Sequence, residues 1–163
     1  ILAESLRAWA EERGYSVTDH DAEALVRAMR AWQPFPDTRP ALNRVREAGM
    51  KLAIISNTDR DIIEHTLRHI DVPFDDVIVA EDCGAYKPAD TVFEQALARF
   101  GEDPADVLHV AFGFKYDIGP AQRLGCRTAW VNRHVEKQPG EEKPDYEWRD
   151  LWGLVEYAES TAS

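Results

Sequence analysis

The chain is poor in cysteine and in positive charge, and it has no long apolar run. Two cysteines in 163 residues, Cys83 and Cys126, show neither CxxC nor Cys/His spacing, which argues against a disulfide framework and a thiolate metal site. Each lies beside a predicted strand, where a small buried thiol is the ordinary outcome. Nineteen Lys and Arg against 30 Asp and Glu leave a formal charge of −11. Nucleic-acid binding depends on clustered cations, so nucleic acid is excluded as a partner, and an anionic membrane surface is disfavoured. The apolar runs are strand-sized, too short to cross a bilayer, and no signal-peptide pattern opens the sequence. A cytoplasmic location is the default expectation. Internal repeats are absent. The first residue is Ile1 rather than Met, and it opens directly on a helical pattern.

What is present is a periodic α/β pattern. "ILAESLRAWAEERGY" places Leu2, Leu6, Trp9 and Ala10 on one helical face and stops at Gly14. "TDHDAEALVRAMRAW" follows, with Thr18 or Asp19 as N-cap and Ala22, Leu25, Val26, Met29 and Trp32 at helical spacing. The Pro-rich "QPFPDTRP" is the clearest break. Beyond it, a helix near 40–48 leads into strand "KLAIIS". Helix 59–69, strand "VIVAED", helix 89–100, strand "VLHVAF", helix 117–124, strand "RTAWVN" and a last helix near 149–159 follow. The Glu/Lys/Pro-rich 136–145 stretch reads as a loop. Short apolar strands alternating with helices predict a doubly wound parallel sheet.

In such sheets ligands bind beyond the carboxyl ends of the strands. Three chemical signals fall there. Ser56 and Asn57 end strand 51–55 ahead of a helix N-terminus, where a hydroxyl, an amide and free N–H groups can hold an anionic oxygen; helix capping by Asn57 or Thr58 is the competing reading. Lys87, beside Pro88, can neutralise a carboxylate or a substrate anion, or be a solvated surface lysine. Asp117, after strand 107–112, can orient water, hold the lysine or cap a helix.

Taken in order, these segments resemble the haloacid dehalogenase superfamily of hydrolases. "AIISNTDRD" is similar to its second motif, "AYKPADTVFEQAL" to its third and "VLHVAFGFKYDIGPAQRLGCRTAWVNR" to its fourth, a match over roughly residues 35–135. The resemblance divides the chain into a partial helical cap, 1–34, and an α/β core, 35–163. It also implies roles. Lys87 would hold an aspartate nucleophile ionised, and Asp117 would position Lys87 or the hydrolytic water. Ser56 would bind the substrate carboxylate, and Asn57 would donate to the substrate or the departing halide. Phe112, Phe114 and Tyr116 would supply an apolar wall, with core packing as the alternative. Gly113 stands where the dehalogenase branch commonly has serine.

The sequence departs from the superfamily in two places. The fourth motif usually carries an acidic Mg²⁺ ligand where this chain has Phe112, and a phenyl ring cannot ligate a hard cation. The metal-independent 2-haloacid dehalogenase branch is therefore favoured, with no cofactor, over a Mg²⁺-dependent phosphatase. Second, no strand ends in the nucleophilic aspartate: Asp19 and Asp21 have no strand ahead of them and read as a helix start, and Asp59 and Asp61 come after the strand that already ends at Ser56. The core is expected to lack its first, central strand, and the chain to be part of a longer protein, inactive alone. The implied activity is hydrolysis of a small 2-substituted carboxylic acid through an aspartyl ester. An inactive fragment or scaffold is the alternative. A homodimer is an open assembly state that no sequence feature fixes.

Overall fold

The computed structural model describes residues 2–162. Two amphipathic helices come first, α1 (Leu2–Glu12) and α2 (Asp19–Ala31), packed on each other. Thr18 caps α2 through a reciprocal box. Its hydroxyl accepts from the Asp21 N–H at 3.2 Å, and its own N–H donates to the Asp21 carboxylate at 2.9 Å. The remaining elements alternate: α3 (Thr38–Glu47), β1 (Ala53–Ser56), α4 (Arg60–Ile70), β2 (Asp76–Val79), a one-turn α5 (Ala80–Cys83) and α6 (Asp90–Phe100). β3 (Leu108–Ala111), α7 (Phe114–Arg123), β4 (Arg127–Val131), β5 (Tyr146–Trp148) and α8 (Trp152–Thr161) complete the fold.

Every strand pairing is parallel. β1 pairs with β2, in register Ile55 to Ile78, and β3–β4–β5 form a second sheet, with Val110 opposite Ala129. Along β3 the side chains alternate as the pleat requires. Leu108 and Val110 pack against the cluster built by Ala41, Leu42 and Val45 of α3 with Leu154, Val155 and Ala158 of α8. His109, between them, meets Phe93 of α6 on the other face. A second cluster there joins Val92 and Phe93 to Ala121 and Cys126. Both faces are thus covered by helices, as an α/β core requires. β1 and β3 do not pair among the described residues. They border one cleft of about 1010 Å³, lined by Ile54 and Ile55 on one side and by His109 and Val110 on the other.

Three boundaries differ from the sequence expectation. α7 begins at Phe114, not at 117, so Asp117 sits in a helical first turn rather than on a loop. The end of "VIVAED" curls into α5 because the Asp82 carboxylate accepts the Val79 N–H at 3.2 Å. The residues directly after the 136–145 loop, for which the sequence pattern predicts no strand, form β5. There Asp145 accepts the Thr128 N–H at 2.7 Å and docks the segment on β4, while Tyr146, Trp148 and Tyr157 pack their rings together.

The Pro-rich break is anchored rather than slack. Asp37 accepts two bonds from the Arg133 guanidinium, at 3.1 and 2.8 Å, and a third from the Leu151 N–H at 2.8 Å. Arg133 in turn lies over the Phe35 ring, 4.2 Å from its centroid. One carboxylate therefore ties the break to the end of β4 and the start of α8. Its side chain is 11% exposed and that of Arg133 16%. Removing one partner of a largely buried pair leaves an uncompensated charge, at a cost of about 3–5 kcal/mol. Asp37→Ala should lose stability of that order in urea unfolding, whereas Asp19→Ala, whose pair with Arg7 is solvent-exposed, should lose less than about 1 kcal/mol.

Candidate active site

The cleft between β1 and β3 reaches a cluster of ionisable groups at the carboxyl ends of the strands. Lys87 lies on the segment between α5 and α6, next to a cis Pro88. Its backbone is held from both sides by one side chain: the Lys87 N–H donates to Asn57 Oδ1 at 2.7 Å, and Asn57 Nδ2 donates to the Lys87 carbonyl at 3.0 Å. Asn57 does not cap α4. Asp59 is the N-cap residue there, and the Arg60 N–H donates to Glu81 at 3.2 Å. The amide thus fixes the β1 corner to the lysine segment, with one Nδ2 hydrogen left over.

From that clamp the lysine side chain runs inward. Nζ donates to Asp117 Oδ1 at 2.7 Å, with the lysine side chain 13% and the aspartate side chain 7% exposed. A second donor converges on the same oxygen: His109 Nε2, from β3, at 3.0 Å. The imidazole is seated edge-on against Phe93, 5.3 Å between ring centroids. Burial alone would push the Asp117 carboxyl up. The His109 hydrogen bond and the nearby Lys87 charge outweigh it and hold Asp117 below the ordinary carboxylate range.

The other candidates surround this centre. Ser56 Oγ shares a 2.9 Å hydrogen bond with the Thr58 hydroxyl and accepts the Thr58 N–H at 3.2 Å, which orders the corner after β1. Phe112 and Tyr116 are exposed, 52% and 55%, and Phe112 meets His134 edge-on at 6.0 Å. Core packing is therefore not their role. Phe114 is the opposite case and a correction. It is buried against Trp130, 5.1 Å between centroids, because α7 begins there and turns its side chain into the core. It cannot wall a pocket. Gly113, the N-cap of α7, has a specific steric reason: a Cβ at that position would lie 2.8 Å from Asp117 Oδ2.

His109 is the member that motif reading passes over. Its sequence signal is a lone ionisable residue in an otherwise apolar strand, eight residues before Asp117. The donor set does not suit a divalent cation. Position 112 offers no side-chain oxygen, Asp117 Oδ1 already receives two donors, and among the described residues no three His, Cys, Asp or Glu side chains group so as to hold a metal.

Asp117→Ala should cost about 3–5 kcal/mol in urea unfolding, since it strands a buried ammonium. A carboxyl depressed in the folded state stabilises above its unfolded value and loses that contribution as pH falls through the folded value. The stability gap between wild type and Asp117→Ala should therefore be complete at pH 6 and shrink as the pH drops below about 4.

The profile of the haloacid dehalogenase-like hydrolases matches residues 2–125. An (S)-2-haloacid dehalogenase from Pseudomonas putida is 30% identical over 132 residues, which cover 80% of this chain and 58% of that protein. A phosphoserine phosphatase from Thermus thermophilus is 29% identical over 132 residues, covering 80% of this chain and 53% of that protein. In structure, the L-2-haloacid dehalogenase from Xanthobacter autotrophicus, solved with chloropropionic acid covalently bound, superposes with a TM-score of 0.81. That superposition has 22% identity, over 94% of this chain and 72% of that one, and it shows the shared fold. The chain spans little more than half the length of the curated relatives it matches. No helix among the described residues is long and apolar enough to cross a membrane. The parallel α/β architecture, the order of the three strand-end motifs and the profile match place the chain in the haloacid dehalogenase-like hydrolase family.

Proposed function

We propose that the full-length protein is a metal-independent hydrolase of the 2-haloacid dehalogenase type, acting on a small 2-substituted carboxylic acid. One observation carries the reading: a buried Lys87–Asp117 pair stands at the head of an apolar cleft between β1 and β3, two sheet edges that do not pair with each other. In this proposal residues 35–163 form a core lacking its central strand, and residues 1–34 are part of a helical cap. The cleft receives a parallel strand from a segment outside the chain, and that strand ends in an aspartate beneath Lys87. Two flanking edges without a strand partner among the described residues, where each backbone N–H or C=O left buried and unpaired costs about 1–3 kcal/mol, favour such an occupant.

The chemistry follows in two displacements. The incoming carboxylate attacks the carbon that bears the halogen; a C–O bond forms, the C–halogen bond breaks and halide leaves with the electron pair. Water then adds to the ester carbonyl. The ester C–O bond breaks, the carboxylate is regenerated, and a 2-hydroxy acid and one proton are released. Splitting the reaction lowers each barrier. Lys87 keeps the nucleophile ionised, and Asp117 holds Lys87 or the hydrolytic water. Ser56 receives the substrate carboxylate, and the remaining Asn57 N–H points its donor toward substrate or halide. Phe112 and Tyr116 exclude water from the mouth. The chain by itself is inactive in this reading, because Asp117 is the carboxylate that meets Lys87 among the described residues.

The full-length protein should release chloride from 2-chloropropionate at a rate that EDTA leaves unchanged. Lys87→Ala should lower kcat by about 10²–10³-fold. Hydrolysis of a phosphate ester that requires Mg²⁺ would establish the phosphatase alternative instead. Absence of both activities would leave a scaffold.

A further inference from the structure

Asp117 is approached by donors from two different elements, and both land on the same oxygen. Lys87 Nζ lies 2.7 Å and His109 Nε2 3.0 Å from Oδ1. Oδ2 points the other way, toward the backbone of Gly113, where even a methyl group would come within 2.8 Å. A carboxylate turns about a broad, shallow torsion, so a single donor on a flexible lysine would leave the two oxygens free to exchange places. The second donor is not flexible. His109 is on a paired strand, its side chain is 14% exposed, and its ring is wedged edge-on against buried Phe93.

We propose that His109 is a positioning residue. By donating Nε2–H to Oδ1 it fixes the carboxylate rotation, so that Oδ2 is the oxygen kept open over Gly113 to accept from water or substrate. The fit explains glycine at 113 as clearance for that oxygen. It also assigns the imidazole something beyond filling space beside Phe93. The titratable groups that meet Asp117 are Lys87 and His109; Lys115 and Tyr116, its neighbours on α7, are exposed. With a carboxylate as acceptor, Nε2 carries the hydrogen. The kinetic consequence rests on the proposed dehalogenase reading, whereas the orientation of Asp117 does not.

The test uses the full-length protein with His109→Phe, which keeps a ring against Phe93 but has no donor, and His109→Gln, whose amide restores a donor near Nε2. Should the Phe variant fail to fold, His109→Met, of similar volume and also without a donor, takes its place. Two quantities are read: the titration midpoint of the Asp117 carboxyl by ¹³C NMR, and kcat and KM for chloride release from 2-chloropropionate. Losing the donor should raise the Asp117 midpoint and lower kcat on the order of 10²-fold, the scale of a small misplacement, with KM little changed. The Gln variant should recover most of both. Either quantity unmoved by loss of the donor in an active protein overturns the proposal, as does a Gln variant as impaired as the Phe variant. If wild type releases no chloride while the midpoint still rises without the donor and returns with Gln, the dehalogenase reading fails and the positioning role stands.

Discussion

The site rests on one buried ion pair, Lys87 with Asp117. Taking an ammonium and a carboxylate out of water costs several kcal/mol for each ion, and their mutual attraction offsets this only when geometry is fixed and other hydrogen bonds are met. Each requirement is traceable. The lysine is fixed at its backbone by the two-point clamp of Asn57, and the aspartate is fixed by its place in the first turn of α7 and by the second donor from His109. The pair joins three segments that are distant in sequence: the corner after β1, the loop before α6, and the β3–α7 unit. Stability and chemistry are coupled there, because what holds the pair together also sets the direction of its free oxygen.

The cleft is the second constraint. β1 and β3 each pair on one side only, and both turn apolar side chains toward a shared volume of about 1010 Å³. Sheet edges of this kind are normally covered, charged or paired. Here neither strand carries a charged side chain except His109 when protonated, so covering by another strand is the physically economical outcome. The proposed occupant would meet the ion pair at its own carboxyl end, where parallel sheets place their ligands.

The alternation of strands and helices, the parallel sheet and the capped start of α2 were legible in the sequence, because period and capping chemistry are local. Ser56 was legible as a strand-end residue, and Lys87 and Asp117 as charged residues in the segments that follow strands. What was not legible depended on tertiary contacts. β5 is three residues long and is held by Asp145 reaching Thr128 across the chain, which no window of sequence displays. Phe112 and Phe114, two residues apart, look alike as aromatics; the early start of α7 turns one outward and the other against Trp130. Asn57 reads as a cap from its position before α4, yet its amide is spent on Lys87, thirty residues away. His109 reads as part of a strand, and only the fold reveals what its ring faces.

The same contacts bear on why a lysine, rather than a divalent metal ion, suits this centre. A divalent ion needs several hard oxygens converging on one point. The strand end after β3 supplies Phe112 and Gly113 instead, and the one carboxylate nearby directs an oxygen at Lys87 and His109. The charge available to a second carboxylate in the cleft is therefore the single positive charge of Lys87, already shared with Asp117. The imidazole donor helps here: it takes up part of the hydrogen-bonding demand of Asp117, which leaves the ammonium's other hydrogens for the carboxylate of the proposed occupant. An ammonium bears three hydrogens, and Asp117 uses one. In the proposed function the imidazole on β3 and the lysine before α6 would be complementary parts of one device, the first satisfying the resident carboxylate so that the second could serve an arriving one.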